Sequence, residues 1–303
     1  MNYPVRDGVV TVNDMRLHYI EAGPSEGAPL IFLHGIGGGI EDWWANLGYF
    51  GEQGYRVLAP SMPGHGSSDF PSGGWDAMDS GRTVVGLMDA WHVRQAPLIG
   101  HSAGGIPAML ATLEAPDRVS GLVLVAPSGL GRRIGWMLRV LTIPIIGEAS
   151  WQPWLLQGKR AEKAIFADQE LVNHEILERW VTRHRDPAQR RNFFRLLRQG
   201  LTIFGLKSRL DLRPRLHEIA CPTLIIWGRD DQIVPQPDWS DSRLQEWRGM
   251  RLLELAPCGH WPQVEQSAAF DHETALFLRG LTTDGAPEVG SGRRESPGQD
   301  RPD

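Results

Sequence analysis

Apolar positions along the chain fall alternately into short continuous runs and into helical spacings. Residues 9–23, VVTVNDMRLHYIEAG, are mostly apolar on both sides of Asn13-Asp14, which predicts a hairpin turning at that pair. Six further runs are expected as buried strands: LIFL (30–33), YRVLAP (55–60), APLIG (96–100), SGLVLVAP (120–127), PTLIIWG (222–228) and MRLLELAP (250–257). Strands that alternate with helical segments argue for an α/β fold, a mostly parallel sheet with helices on both faces. Between Pro127 and Cys221 the alternation stops, and about ninety residues carry helical patterns, Trp136, Trp151, Trp154 and Trp180, with no convincing strand. That stretch reads as a helical cap inserted between two sheet strands. The expected organisation is therefore a core in two parts, 1–128 and 216–282, a cap over 129–215, and a tail over 283–303. The tail is rich in Gly, Pro and charge, has no apolar periodicity, and is expected to be disordered.

Length and composition narrow the picture. A chain of 303 residues suits one α/β domain with an insertion. A hydrophobic content of 41% with 22% charged residues fits a soluble globular protein, and a net charge of −5 gives no electrostatic reason to bind nucleic acid or an anionic membrane. The partner expected is a small molecule. No apolar run approaches the roughly 20 residues of a membrane span; the nearest, residues 134–147, contains Arg139 and Pro144. The start MNYPVRDGVV lacks the features of a secretory signal, so a cytoplasmic location is expected. Cys221 and Cys258 are too few for a disulfide framework and form no zinc or redox motif.

Chemistry enters at Gly100-His101-Ser102-Ala103-Gly104-Gly105, set between a predicted strand and a predicted helix. A strained strand-to-helix turn with small neighbours is how a serine is exposed as a nucleophile, and the helix N-terminus beyond it favours negative charge. A serine hydroxyl is a weak nucleophile at neutral pH and needs a base, which in turn needs an orienting acid. LLELAPCGHWPQ places His260 just past the last predicted strand, and IIWGRDDQIVP places Asp230 and Asp231 just past the one before it. The loop after the earlier strand, Ala126-Pro127-Ser128-Gly129, has no carboxylate, so the acid is sought in the later pair, with Asp231 ahead of Asp230.

The stretch LIFLHGIGGG empties an apolar strand into glycine. Ile40 occupies the position where a dinucleotide fingerprint needs its third glycine, and no Gly-Lys-Ser/Thr follows, so neither phosphate motif is present. The loop instead suits an oxyanion site, in which fixed backbone N–H groups stabilise the charge of a tetrahedral intermediate.

These residues resemble the α/β-hydrolase superfamily from the His34-Gly35 loop to His260, most of the chain. The nucleophile, acid and base also follow one another in that superfamily's order. The resemblance implies a sheet of about eight strands under a helical cap, with Ser102, His260 and Asp231 as the catalytic residues. It also implies the amides of Ile36 and Ala103 as the oxyanion donors. WGRDDQIVP and PCGHWPQVE are similar to the meta-cleavage product hydrolases, which split C–C bonds of ring-opened aromatics, and to related carboxylesterases. Two positions depart from that pattern: His101 stands where the C–C hydrolases typically carry Asn, and Ser61 where relatives usually carry Asp.

The reading of function is a serine hydrolase that cleaves a small apolar or aromatic carboxylic ester through an acyl-enzyme. C–C bond hydrolysis and non-catalytic ligand binding on the same scaffold are the alternatives. No metal or organic cofactor is called for. Trp43, Trp44, Trp136 and Trp261, with Ile134, Met137 and Leu138, are expected about an apolar pocket, with His34 and His101 beside it in holding roles. The arginines of RHRDPAQRR (183–191) are expected on a solvated helix face.

Overall fold

The computed structural model describes residues 5–71, 75–151, 165–168, 170 and 174–283. The tail expected to be disordered, and Trp154 of the expected cap, lie outside the described residues. β1 (Val5–Val12) and β2 (Met15–Ala22) pair antiparallel about Asn13 and Asp14, at φ 47° and 63°. Short polar side chains tolerate that left-handed backbone, and two such residues in succession give the turn whose twist suits a hairpin.

The chain continues through β3 (Ala28–Leu33), β4 (Tyr55–Pro60), β5 (Ala96–His101) and β6 (Val119–Val125). After a two-residue pair, β7 (Leu201–Thr202) and β8 (Gly205–Leu206), come β9 (Thr223–Gly228) and β10 (Met250–Leu255). Eight strands form one sheet in the order β1-β2-β4-β3-β5-β6-β9-β10, antiparallel at β1–β2–β4 and parallel beyond. The small β7–β8 hairpin corrects the expectation of no strand between Pro127 and Cys221. Two-residue strands are too short to show a period. β10 also departs from the fully buried strand expected, because it is the sheet's edge and several of its side chains reach solvent.

α1 (Trp44–Glu52), α2 (Ser80–Ala90) and α3 (Gly105–Glu114) lie between the early strands. α4 (Trp136–Leu141), α5 (Ile146–Ser150), α6 (His174–Arg185) and α7 (Pro187–Gly200) fall within 129–215. α8 (Ser242–Gln245), α9 (Pro262–Glu265) and α10 (Ser267–Thr283) complete the chain. Alternate side chains of each central strand enter opposite cores, as period-two geometry requires. Ile31, Leu98 and Ile225 pack with α2 and α3 residues such as Leu87 and Met109, whereas Phe32, Ile99 and Ile226 pack with Phe50 of α1 and Phe270 of α10. Burial on both faces explains why these strands read as unbroken apolar runs. Phe193, Phe194 and Leu197 of α7 extend the first core. Among the described residues, no helix is long and apolar enough to cross a membrane.

Candidate active site

β5 ends at His101, and Ser102 follows with φ 54°, an uncommon value for a residue with a side chain. The glycines around it are sterically required. A Cβ on Gly100 would come within 2.6 Å of the Gly104 carbonyl, and one on Gly104 would overlap the carbonyls of Leu33 and His34. The turn is therefore pressed against β3, and α3 begins immediately after it.

Ser102 Oγ–H donates to His260 Nε2 at 3.0 Å, and His260 Nδ1–H donates to Asp231 Oδ2 at 2.8 Å. Ser102 comes from the end of β5, Asp231 from the turn after β9 and His260 from the loop after β10, so three carboxyl ends of the sheet supply one chain of hydrogen bonds. The Asp231 carboxylate also accepts from the N–H groups of Ile233 and Val234, at 2.8 and 2.9 Å, and from Trp227 Nε1 at 3.2 Å. Four donors fix its plane and balance its burial. Asp230 is exposed and turns elsewhere; its carboxylate accepts from the Cys258 N–H at 3.3 Å.

Two neutral histidines hold the glycine loop. His34 Nδ1–H donates to the Gly35 carbonyl at 2.8 Å, while its Nε2 accepts from Met62 N–H at 2.9 Å. His65 Nε2 accepts from Gly37 N–H at 3.1 Å. Burial is the main cause that pushes both imidazoles toward the neutral form, His34 well below the ordinary value and His65 to about 4. An imidazole held neutral keeps one nitrogen as an acceptor, which these bonds need. The loop closes on itself by Gly38 N–H to Gly35 O at 3.1 Å, with Gly37 at φ 69°. A Cβ on Gly35 would stand 3.0 Å from Ser102 Cβ, so glycine there lets the loop come up beside the hydroxyl. Ile36 and Ala103 thus flank Ser102 from the loop and from the first turn after the serine.

His101 packs behind His260. Its Nε2–H donates to the His260 carbonyl at 2.9 Å, and burial keeps the ring neutral. The loop carrying His260 is pinned from a second direction as well. His260 N–H donates to Ile165 O at 2.6 Å, and Glu265 takes Gly259 N–H on Oε2 and the N–H groups of Ala167 and Asp168 on Oε1, at 2.7–2.9 Å.

Space opens on both sides of Ser102. One lobe, about 120 Å³, is walled by Met62, Trp75, Ile134, Leu138, Leu196 and Leu210. The other, about 100 Å³, is walled by Met137, Trp151, Phe193, Ile233, Trp261 and Asp42. His34 faces the first lobe, His101 the second, and Leu138 is common to both. Trp43 and Trp136 do not line either lobe. Trp43 is fully buried against Phe32 and Phe270 beneath the sheet, and Trp136 is 74% exposed on the outer side of α4, whose inner side carries Met137 and Leu138. Trp44 packs against the second core instead. Helical spacing explains the error at Trp136: consecutive residues point about 100° apart. Arg183 also departs from a solvated face, since it turns inward to pair with Glu41.

Residues 30–273 match the model of the alpha/beta hydrolase family. The chain belongs to the alpha/beta hydrolase family. A 2-hydroxy-6-oxo-6-phenylhexa-2,4-dienoate hydrolase of Burkholderia cepacia is 34% identical to this hydrolase over 89% of the chain and 95% of its own length. A 2-hydroxy-6-oxononadienedioate/2-hydroxy-6-oxononatrienedioate hydrolase of Comamonas testosteroni is 33% identical over 92% and 98%. Among solved structures, a serine hydrolase of Cycloclasticus zankles shares the fold with a TM-score of 0.77 at 21% identity, over 92% of this chain and 99% of that one. This protein is accordingly an enzyme of the hydrolase class.

His65, Glu265, Asp42 and the wall residues Met62, Phe193 and Leu196 escape a reading of the sequence. The signal available was the second glycine-flanked histidine in PGHG, at His65, and the carboxylate five residues after His260.

Proposed function

We propose that this enzyme is a serine hydrolase acting on small carboxylic esters with apolar or aromatic parts. The observation that carries the reading is the buried hydrogen-bonded chain Ser102–His260–Asp231 at the meeting point of two apolar lobes. In this mechanism His260 takes the hydroxyl proton as Ser102 Oγ bonds to the ester carbonyl carbon. Asp231 holds the imidazole in the required tautomer and stabilises the imidazolium. The amides of Ile36 and Ala103 receive the negative oxygen. Collapse of the intermediate breaks the bond to the alcohol, which leaves with the proton from His260; water then repeats the sequence and frees the acid. A cavity of about 150 Å³ is the size that takes a benzene ring. Each lobe is on that scale, so the substrates favoured carry one ring or a short chain on either side of the ester.

The relatives' names favour a second reading, hydrolysis of a C–C bond in a 2-hydroxy-6-oxo-dienoate. Such a substrate brings a carboxylate, and among the described residues neither lobe has an arginine or lysine in its wall. A buried anion without a partner costs several kcal/mol, which supports the neutral ester.

A series of p-nitrophenyl esters of increasing acyl length, assayed beside a ring-opened dienoate, separates the two. The expected result is ester turnover with a short-chain optimum, abolished in Ser102→Ala. Loss of the dienoate's visible absorbance in a folded enzyme inert toward every ester would overturn the ester reading in favour of C–C cleavage.

A further inference from the structure

Asp42 is out of keeping with its surroundings. It is 2% exposed and lines the second lobe, whose wall is otherwise mostly apolar and includes Met137, Leu138, Trp151, Phe193, Ile233 and Trp261. Its position in the wall puts it in the same lobe as Ser102 and His260. The charged and titratable groups around it do not neutralise it by contact. Arg183 pairs with Glu41 through Nη2 alone, its buried Nη1 makes no hydrogen bond, and Asp42 makes no ion pair among the described residues. Against the cost of burial, Arg183 favours its charge most, Glu41 acts against it, and a hydrogen bond from the Gly39 N–H on the same loop adds smaller support. On the far side of the lobe stand His101, already committed to the His260 carbonyl, and His260, committed to Ser102 and Asp231. Burial dominates this balance and pushes the carboxyl up to about 7, so both its protonation states are populated near neutrality.

A buried polar group in an apolar wall is costly unless something bonds to it. A charged carboxylate can only accept a hydrogen bond, and its protonated form can also donate one. The partner that satisfies either form without a change of position is a hydroxyl, which is both donor and acceptor. We propose that Asp42 is a specificity residue that binds a hydroxyl group carried by the part of the substrate occupying the second lobe. This names the substrate class within the ester-hydrolase reading, on which it rests: a hydroxylated small aromatic or aliphatic ester in preference to its plain hydrocarbon counterpart. Sites built to bond a hydroxyl discriminate strongly against the analogue that lacks one, because the protein group is then left buried and unpaired.

The test uses matched ester pairs, with the hydroxyl on the alcohol side (3- and 4-hydroxyphenyl acetate against phenyl acetate) or on the acyl side (ethyl 3-(3- and 4-hydroxyphenyl)propanoate against ethyl 3-phenylpropanoate). For one side, the wild type is expected to favour a hydroxylated member by about tenfold or more in kcat/KM. That ratio should fall to about one in Asp42→Ala and in Asp42→Val, the second of which keeps side-chain volume where alanine harms folding. The same compounds are titrated calorimetrically into Ser102→Ala and its Asp42→Val double variant, a measurement that needs no turnover. A hydroxyl preference in binding that disappears with Asp42 supports the inference even if no ester is cleaved, in which case only the ester reading fails. Equal treatment of every pair, a preference that survives both Asp42 variants, or a stronger preference for an ammonium-bearing ester would overturn it.

Discussion

At the scale of single residues, the site depends on atoms that cannot be exchanged for near equivalents. Asp231 and Asp230 are chemically identical and adjacent, yet only Asp231 reaches His260. Asp231→Asn offers an amide where the imidazole N–H needs an acceptor and favours the wrong tautomer, and it is expected to lower ester kcat by about 10⁴. Asp230→Asn is expected to leave kcat within about threefold. Steady-state kinetics of the two purified variants on one p-nitrophenyl ester checks both, and a reversed order would exchange their roles. Leu138 lines both lobes from α4, so its removal should widen both. Leu138→Ala is expected to move the acyl-length optimum upward by about two carbons, whereas Trp136→Ala, on the outer side of the same helix, should leave the profile unchanged. The chain-length series run on each variant decides it.

At the scale of elements, the position of His260 is set by a loop tied to three places. Glu265, at the end of α9, bonds Gly259 before His260 and Ala167 and Asp168 in the segment that packs over it. Both carboxylate oxygens act as acceptors, and a glutamine has only one. Glu265→Gln therefore leaves at least one buried N–H facing an NH₂ group. The expected cost is about 1–3 kcal/mol of stability, with a fall in kcat of about tenfold as the base loses its fixed orientation. Urea denaturation and kinetics on the same preparation test this; unchanged kcat with lowered stability would make Glu265 a purely structural tie. The elbow after β5 is equally constrained, since Gly100 and Gly104 mark where the strand, the turn and β3 approach too closely for any side chain.

At the scale of the whole molecule, burial of a carboxyl between α1 and α10 links stability to pH. Asp271 accepts from Asn46 Nδ2 at 2.9 Å, and its burial pushes it from 3.8 to about 7. A carboxyl whose folded value is raised gives its full stabilisation below the unfolded value and loses it as pH rises through the folded one. Between about pH 4 and 7 the folded state holds the extra proton, so this group lowers stability as pH rises. Asp271→Asn removes that dependence. The melting temperature of the wild type minus that of the variant should fall by about 2 °C or more from pH 4 to pH 7.5. A difference that stays flat across the range would place the titration elsewhere.

Much of this was legible in the amino-acid order, because the signals were local. Apolar runs marked the strands, Asn13-Asp14 marked the hairpin, and the glycines about Ser102 marked a turn in which no larger residue fits. Other features were decided only by how distant segments meet. Nothing in the sequence separates Trp136, which faces solvent, from Met137, which faces the lobe, until the rotation of α4 about its axis is fixed by packing. The same holds for Asp42, an ordinary acidic residue in a first helical turn until the distant Phe193 and Trp151 close an apolar wall around it. Chain order sets the chemical groups and the local backbone they require. Only the tertiary fold sets which groups lose water and which neighbours they then face, because burial and electrostatic environment arise from contacts between residues far apart in sequence.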